Sequence, residues 1–338
     1  MKARPGPGAS PPPRGLRAAP PAGPGAWGVR LEVAPGAAAA VCRDTATGPF
    51  LREQLERGGG LVLAEGFAGI APEDLVALSG QLGTVESNPG VDARYLELPE
   101  VQRIGSDPGR ALFSKCKRPS CKRPGDNSFQ YDPTTRSPVW HTDQLMRDPQ
   151  PLGSLLLGVT CPPEGAATCF ASTALAYEAL TPEERAEVDE LWLVSSYAHH
   201  NAKIRYTTTP TYPLLTDAEQ ERFPPLLRPV IAPHPKTGRR AFNAFSSSVC
   251  AVLHTRVEAE ALDVGRYELT GEEHPSVRVF LDRWLPWVTR PQFTTVHQWR
   301  AGDLAVWDNR VTIHAATWYD HEVHEREMWR TTVCDDLR

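Results

Sequence analysis

Four short apolar runs crowd the last third of the chain: Thr294–Trp299, Asp303–Trp307, Val311–Ala315 and Glu327–Val333. Turn residues such as Gly302-Asp303 separate most of them, and each is too short for a stable helix. Strands at this density predict a β-sandwich or barrel. Leu152–Val159, bounded by Pro151 and the Pro162-Pro163 pair, reads as a further buried strand, and Thr84–Asp107 as irregular and strand-like. Helices flank these runs. Pro72–Leu82 places Leu75, Val76, Leu78 and Leu82 on one stripe. Thr173–Leu193 is the clearest helical region, with Thr181-Pro182-Glu183-Glu184 supplying an N-cap, a first-turn proline and early acids. Pro275–Leu285 is another helix, with Pro286 as its expected stop.

The N-terminus is a different material. Met1–Gly28 is rich in Pro, Gly, Ala and Arg and has no acid before Glu32, so residues 1–28 are expected to be a disordered tail. Organelle targeting is the alternative, though such peptides are usually Ser-rich. Residues 29–338 then form a single domain, interrupted by Ser114–Ser137, a basic insertion or lid loop dense in Lys, Arg, Pro, Asp and Ser. The chain contains no internal repeat. A formal net charge of −5 gives no reason to expect nucleic acid or an anionic membrane as partner. No apolar run approaches the roughly 20 residues of a membrane-spanning helix. The cysteines, 7 and scattered, suit reduced thiols in a cytoplasmic protein better than a disulfide framework. Cys116 and Cys121 lack a second pair at zinc-ribbon spacing.

Chemistry begins at Trp140-His141-Thr142-Asp143. On an extended backbone, side chains two apart share a face, so His141 and Asp143 can approach one ion together. One more histidine would complete the two-His-one-carboxylate set that holds Fe(II) on one face and leaves the other open. A bare His-x-Asp is common by chance, so the third ligand decides. His199, His200, His321 and His324 stand among polar residues, and His234 lies in a Pro-rich turn, where a structural role is expected. His314 differs, because it ends the run Val311-Thr312-Ile313 after Trp307-Asp308-Asn309-Arg310. A jelly roll brings such distant strand ends together.

The closing segment Arg326-Glu327-Met328-Trp329-Arg330-Thr331-Thr332 adds an independent signal. Period two puts Arg326, Met328, Arg330 and Thr332 on one face. Two arginines facing a core are costly unless each meets an anion, and a guanidinium matches a carboxylate bidentately. The alternative is an edge strand whose arginines face water.

In this order, from about Phe67 to Val333, these residues resemble the taurine dioxygenase (TauD/TfdA) family of 2-oxoglutarate oxygenases. Trp140-His141-Thr142-Asp143 is similar to the family's first metal motif, and Gly302–Arg310 leading to His314 to its second. Gly165-Ala166-Ala167-Thr168 resembles the turn that ends in a cosubstrate-binding Thr, and Ala171–Leu180 the helix that follows. Pro229–Phe242, with His234-Pro235 and Gly238, resembles a His-Pro-x-x-Gly segment, and Arg326 with Arg330 the closing arginine pair.

The resemblance implies a mainly β fold with flanking helices, a double-stranded β-helix (jelly roll, cupin-like). It implies Fe(II) held by His141, Asp143 and His314, with 2-oxoglutarate and O₂ as cosubstrates and succinate and CO₂ as products. Thr168 and Arg326 would bind the distal carboxylate of 2-oxoglutarate, and Arg330 a small anionic substrate. His314 stands about a residue farther from these arginines than the family pattern has it, which leaves their division of roles open. Ser137 and Asn88 replace the Asn and the His of taurine enzymes, so an amino acid or other small carboxylic acid is expected instead, with Phe245 as a wall residue. Hydroxylation is the expected outcome. Desaturation or cyclisation on the same scaffold is one alternative, and a non-catalytic cupin-like binding protein another. Halogenating relatives lack the carboxylate that Asp143 supplies. Homo-oligomerisation is left open.

Overall fold

A computed structural model of the chain describes residues 11–20, 27–87, 98–106, 139–207, 210, 212–320 and 323–335. The expectations for Ser114–Ser137, Asn88, Cys116 and Cys121 fall outside these residues. Strict two-residue alternation builds the large sheet. It contains β1 (Leu16–Ala18), β2 (Val29–Val33), β3 (Leu61–Glu65), β4 (Thr84–Val85), β5 (Gln102–Ser106), β6 (Gly153–Thr160), β14 (Leu304–Asp308) and β16 (Arg326–Cys334). Their order is β1-β2-β3-β14-β6-β16-β4, with β5 also paired to β16. All neighbours are antiparallel except β2 and β3.

Both faces of this sheet are buried, and each strand divides its side chains between them. Val62, Ala64, Leu155, Leu157, Leu304, Val306 and Val333 face outward to α1 (Ala38–Arg43), α2 (Thr47–Arg57) and α3 (Pro72–Gly80). Leu61, Leu63, Leu156, Ala305, Trp307 and Met328 face inward, where they meet Phe170 and Trp299. Phe170 belongs to β7 (Thr168–Ser172), the middle of a small sheet with β13 (Thr294–His297) and β15 (Thr312–Ala316). An isolated antiparallel bridge adds His141 beside His314. Two facing sheets around one core make the jelly roll.

A second layer covers the back of the small sheet. It comprises α4 (Thr173–Glu178), α5 (Pro182–Asp189), β8 (Trp192–Ser195), α6 (Tyr197–Thr207), α7 (Asp217–Arg222), β9 (Leu226–Pro229), β10 (Ile231–Pro233), β11 (Arg240–Phe242), β12 (Val249–Leu253), α8 (Arg256–Glu260), α9 (Val264–Thr270) and α10 (Pro275–Val288). Ala171 and Ile313, on the far faces of β7 and β15, pack there with Phe242, Phe280 and Trp284. Among the described residues no helix is long and apolar enough to cross a membrane, and the described cysteines are free thiols.

Three expectations change. The helical region Thr173–Leu193 holds two helices, the second capped at Thr181 as expected, but its end is the start of a strand. Pro182 forces Thr181 to an extended conformation (ψ 163°), which ends α4 and lets Thr181 cap α5 in a reciprocal pair with Glu184. Pro286 does not stop α10, which runs to Val288. The missing N–H falls in the last turn, and buried Val288 with the Trp287 indole on the Ala176 carbonyl (3.0 Å) holds the end down.

The third change is at the N-terminus. Residues 16–18 are not disordered: β1 pairs with β2, and Leu16 is buried against Leu31 and Val33. A single apolar residue in a proline-rich stretch carries no periodic signal, yet the edge of β2 offers it both a ladder and a core. Leu16→Ala should therefore lower stability by about 2 kcal/mol in urea unfolding, where a loose tail would show no change.

Candidate metal centre

The first metal motif is hung on the second by backbone. His141 N–H donates to the His314 carbonyl (2.9 Å), and His314 N–H returns the bond (2.8 Å). Residues directly opposite in an antiparallel pair project to the same side, so the two rings meet with centroids 4.4 Å apart. Asp143, one period on, joins them. Its Oδ1 lies 3.9 Å from His141 Nε2 and its Oδ2 3.8 Å from His314 Nε2. One ligand atom from each residue falls within 4.8 Å of the others, a set that could hold a metal ion.

Tautomer and charge suit that role. His141 Nδ1 stands 3.0 Å from the Val139 carbonyl and can only donate there, so in the neutral ring the lone pair is on Nε2, toward Asp143. Burial, then the neighbouring His141, push His314 down to about 3, against the pull of Asp143. Its imidazole is neutral at ordinary pH. Phe170 stacks on it at 6.2 Å, and Trp307 lies 4.9 Å away.

The loop between the ligands is tied at every residue. Thr142 N–H donates to the Phe245 carbonyl (2.7 Å), and Thr142 Oγ1 to the Asn309 carbonyl (2.6 Å). Gln150 Nε2 donates to the Asp143 carbonyl (3.1 Å) and is itself held by Asn243 (2.8 Å). Directly after Asp143 the chain turns through a left-handed Gln144 (φ 52°), a strain that persists where the surroundings enforce it.

The closing strand behaves as period two requires. Arg326 and Met328 are buried inward, while Trp329 and Val333 pack outward, and β16 is flanked on both sides, so it is not an edge. Arg330 meets a different anion from the one expected. Its Nη2 donates to Asp143 Oδ2 at 2.7 Å, and Nε and Nη2 reach Ser154 Oγ at 3.2 and 3.1 Å. Asp143 already neutralises it, so no external acid is needed to explain its position. Nη1 makes no bond to any described residue.

Thr168 and Arg326 both stand close to the 317–319 segment. The 165–167 turn packs on Trp318 and Tyr319, and the Arg326 guanidinium sits 5.8 Å from the Tyr319 ring. Thr168 Oγ1 accepts from Trp299 Nε1 (2.9 Å), so its own proton remains to be donated. Phe245 does not wall a pocket: it is 1% exposed and packs on Phe242 and Phe280, and it serves the centre only through its carbonyl. Ser137 and Asn88 fall outside the described residues. Ser154, Gln150, Asn243 and Trp299 carry no spacing signal, since each acts through a partner distant in sequence.

A jelly roll with two histidines and one carboxylate at the mouth of its sheets is the arrangement of the mononuclear non-haem metal proteins. Residues 24–332 match the model of the taurine catabolism dioxygenase TauD, TfdA family, and the chain belongs to it. An alpha-ketoglutarate-dependent 2,4-dichlorophenoxyacetate dioxygenase of Cupriavidus pinatubonensis is 28% identical over 200 residues, 59% of this chain and 60% of the relative. An alpha-ketoglutarate-dependent sulfate ester dioxygenase of Pseudomonas putida is 29% identical over 210 residues, 60% of this chain and 61% of the relative. The chain thus matches about three fifths of the length of these relatives. The crystal structure of a taurine dioxygenase from Burkholderia xenovorans superposes with a TM-score of 0.61 at 26% identity, covering 95% of this chain and 90% of that one.

Asp308, one turn before His314, is a second buried carboxylate with a different task. Burial works against its ionisation, but hydrogen bonds from Arg310 and then His234 overcome this and hold it well below the usual carboxylate range. Its folded value lies under the unfolded one of about 3.9, so its contribution is full above about pH 4 and drains away as pH falls further. Asp308→Asn should remove this part of the acid sensitivity. At pH 7 it should cost about 3 kcal/mol, because Arg310 loses three of its bonds and keeps only Asp335 as a charged partner. Urea unfolding of both proteins at pH 7 and at pH 3.5 measures the two effects.

Proposed function

We propose that this protein is an Fe(II)- and 2-oxoglutarate-dependent dioxygenase that hydroxylates a small anionic substrate. The observation that carries the reading is the convergence of two imidazoles and the Asp143 carboxylate from two segments far apart in sequence. Two imidazole nitrogens and one carboxylate oxygen are a donor set suited to Fe(II), and the tautomer fixed by Val139 directs the His141 lone pair to it. When bound, Fe(II) with O₂ and 2-oxoglutarate supplies the oxidising chemistry, with succinate and CO₂ released as the substrate gains a hydroxyl.

The chain's own part is to bind, orient and exclude water. Buried Arg326 and the donating hydroxyl of Thr168 suit the distal carboxylate of 2-oxoglutarate. Arg330 orients Asp143 through Nη2 and offers Nη1 to an anionic group on the substrate. The names of the relatives support this substrate class, since they specify a phenoxyacetate and sulfate esters. The apolar surface of Phe170 and Trp307 beside His314 favours a dry reaction space.

Succinate release from 2-oxoglutarate, screened with phenoxyacetates, sulfate esters and amino acids, tests the activity. His314→Ala and Asp143→Ala should abolish it with the fold intact, and full turnover in His314→Ala would sink the assignment. Arg326→Ala should raise the 2-oxoglutarate requirement about a hundredfold, the effect of losing a charge-assisted pair of a few kcal/mol. Arg330→Gln should instead raise the KM for an anionic substrate more than that for 2-oxoglutarate. The reverse pattern would exchange the two roles.

A further inference from the structure

Around the 308–311 turn runs a chain of buried and half-buried polar groups. Arg52 and Arg310 share the two oxygens of Asp335 (both 3.1 Å). Arg310 also grips Asp308 by its Nε (2.8 Å), its Nη2 (2.6 Å) and its backbone N–H (2.9 Å). The chain ends at His234, whose Nε2 lies 3.0 Å from Asp308 Oδ2. His234 Nδ1 accepts from the Thr237 backbone N–H (3.1 Å), so its proton is on Nε2 and is donated to Asp308. Each oxygen of Asp308 therefore has two donors, and none of that carboxylate is left for a metal.

What Asp308 holds is the turn beneath both metal motifs. Its carbonyl takes the Thr312 hydroxyl (2.7 Å), two residues before His314. The next carbonyl, that of Asn309, takes the hydroxyl of Thr142, the residue between His141 and Asp143. We propose that His234 is a positioning residue for the iron centre: by fixing the Asp308 turn it sets the spacing of all three ligands. This rests on reading His141, Asp143 and His314 as those ligands. Arg310 already balances the charge of Asp308, so the neutral His234 contributes direction rather than neutralisation. It also connects the second layer, through the end of β10, to the centre by a single buried side chain.

The test is the affinity of the metal-free protein for Mn(II), titrated calorimetrically without cosubstrate or turnover. His234→Leu removes the donor at similar volume. His234→Gln keeps an amide N–H that can reach Asp308. The Leu variant should bind Mn(II) about ten- to a hundredfold more weakly, the usual effect of losing a ligand's outer partner, and the Gln variant should recover most of that loss. A folded Leu variant with wild-type affinity overturns the inference, as does a Gln variant as weak as Leu. Thr142→Val cuts the same linkage from the other end with a minimal change of shape. It should weaken binding likewise, and wild-type affinity there also counts against the inference should His234→Leu not fold. His314→Ala separates the underlying reading: if it binds Mn(II) as wild type does, the iron site itself is wrong and this inference falls with it.

Discussion

The centre depends on one pair of backbone hydrogen bonds, those exchanged by His141 and His314. They join a loop to the last strand of the small sheet, and they bring two imidazoles to one side without any help from the side chains themselves. Asp143 then follows by period two. A candidate ligand set made this way inherits the rigidity of the sheet, which matters because metal sites tolerate errors of only about half an ångström. The surrounding bonds, from Thr142 to Asn309 and from Gln150 to Asp143, each prevent the loop from peeling away from that bridge.

The alternation that builds the two sheets was readable because it is local. Leu304 to Trp307 and Met328 to Val333 divide their side chains between two cores as their spacing says they must. Thr181 and Glu184 cap a helix because both partners lie within one turn. The convergence of the three candidate ligands was legible for a mixed reason: His141 and Asp143 share a face by period, whereas His314 stands out by its place at the end of an apolar run.

What the sequence left open has a common cause, which is that strand period fixes a face and not an opposite number. Arg330 was placed on the inward face, but its partner Asp143 comes from a loop 187 residues earlier, and only the fold brings them to 2.7 Å. Phe245 is near the centre in space, yet sequence cannot say that its carbonyl faces Thr142 while its ring faces Phe280. Leu16 has no periodic company at all. His234 meets Asp308, a partner 74 residues away that its Pro-rich turn gives no hint of.

Asp143 and Asp308 show how the same two residue types are made into different devices. Both are buried carboxylates and both are paired with an arginine. Around Asp308 the arginine is two residues away and wraps back on it, His234 completes the shell, and the charge is locked in place for good. Around Asp143 the arginine arrives from a separate strand and shares its donors with Ser154. The carboxylate keeps an oxygen turned toward each imidazole at 3.8 to 3.9 Å, too far for a hydrogen bond and suited to an ion between them. Two donors on each oxygen suit a support, and an oxygen turned toward each imidazole suits a candidate ligand. The difference follows from where the arginine is rooted, which is a property of topology rather than of composition.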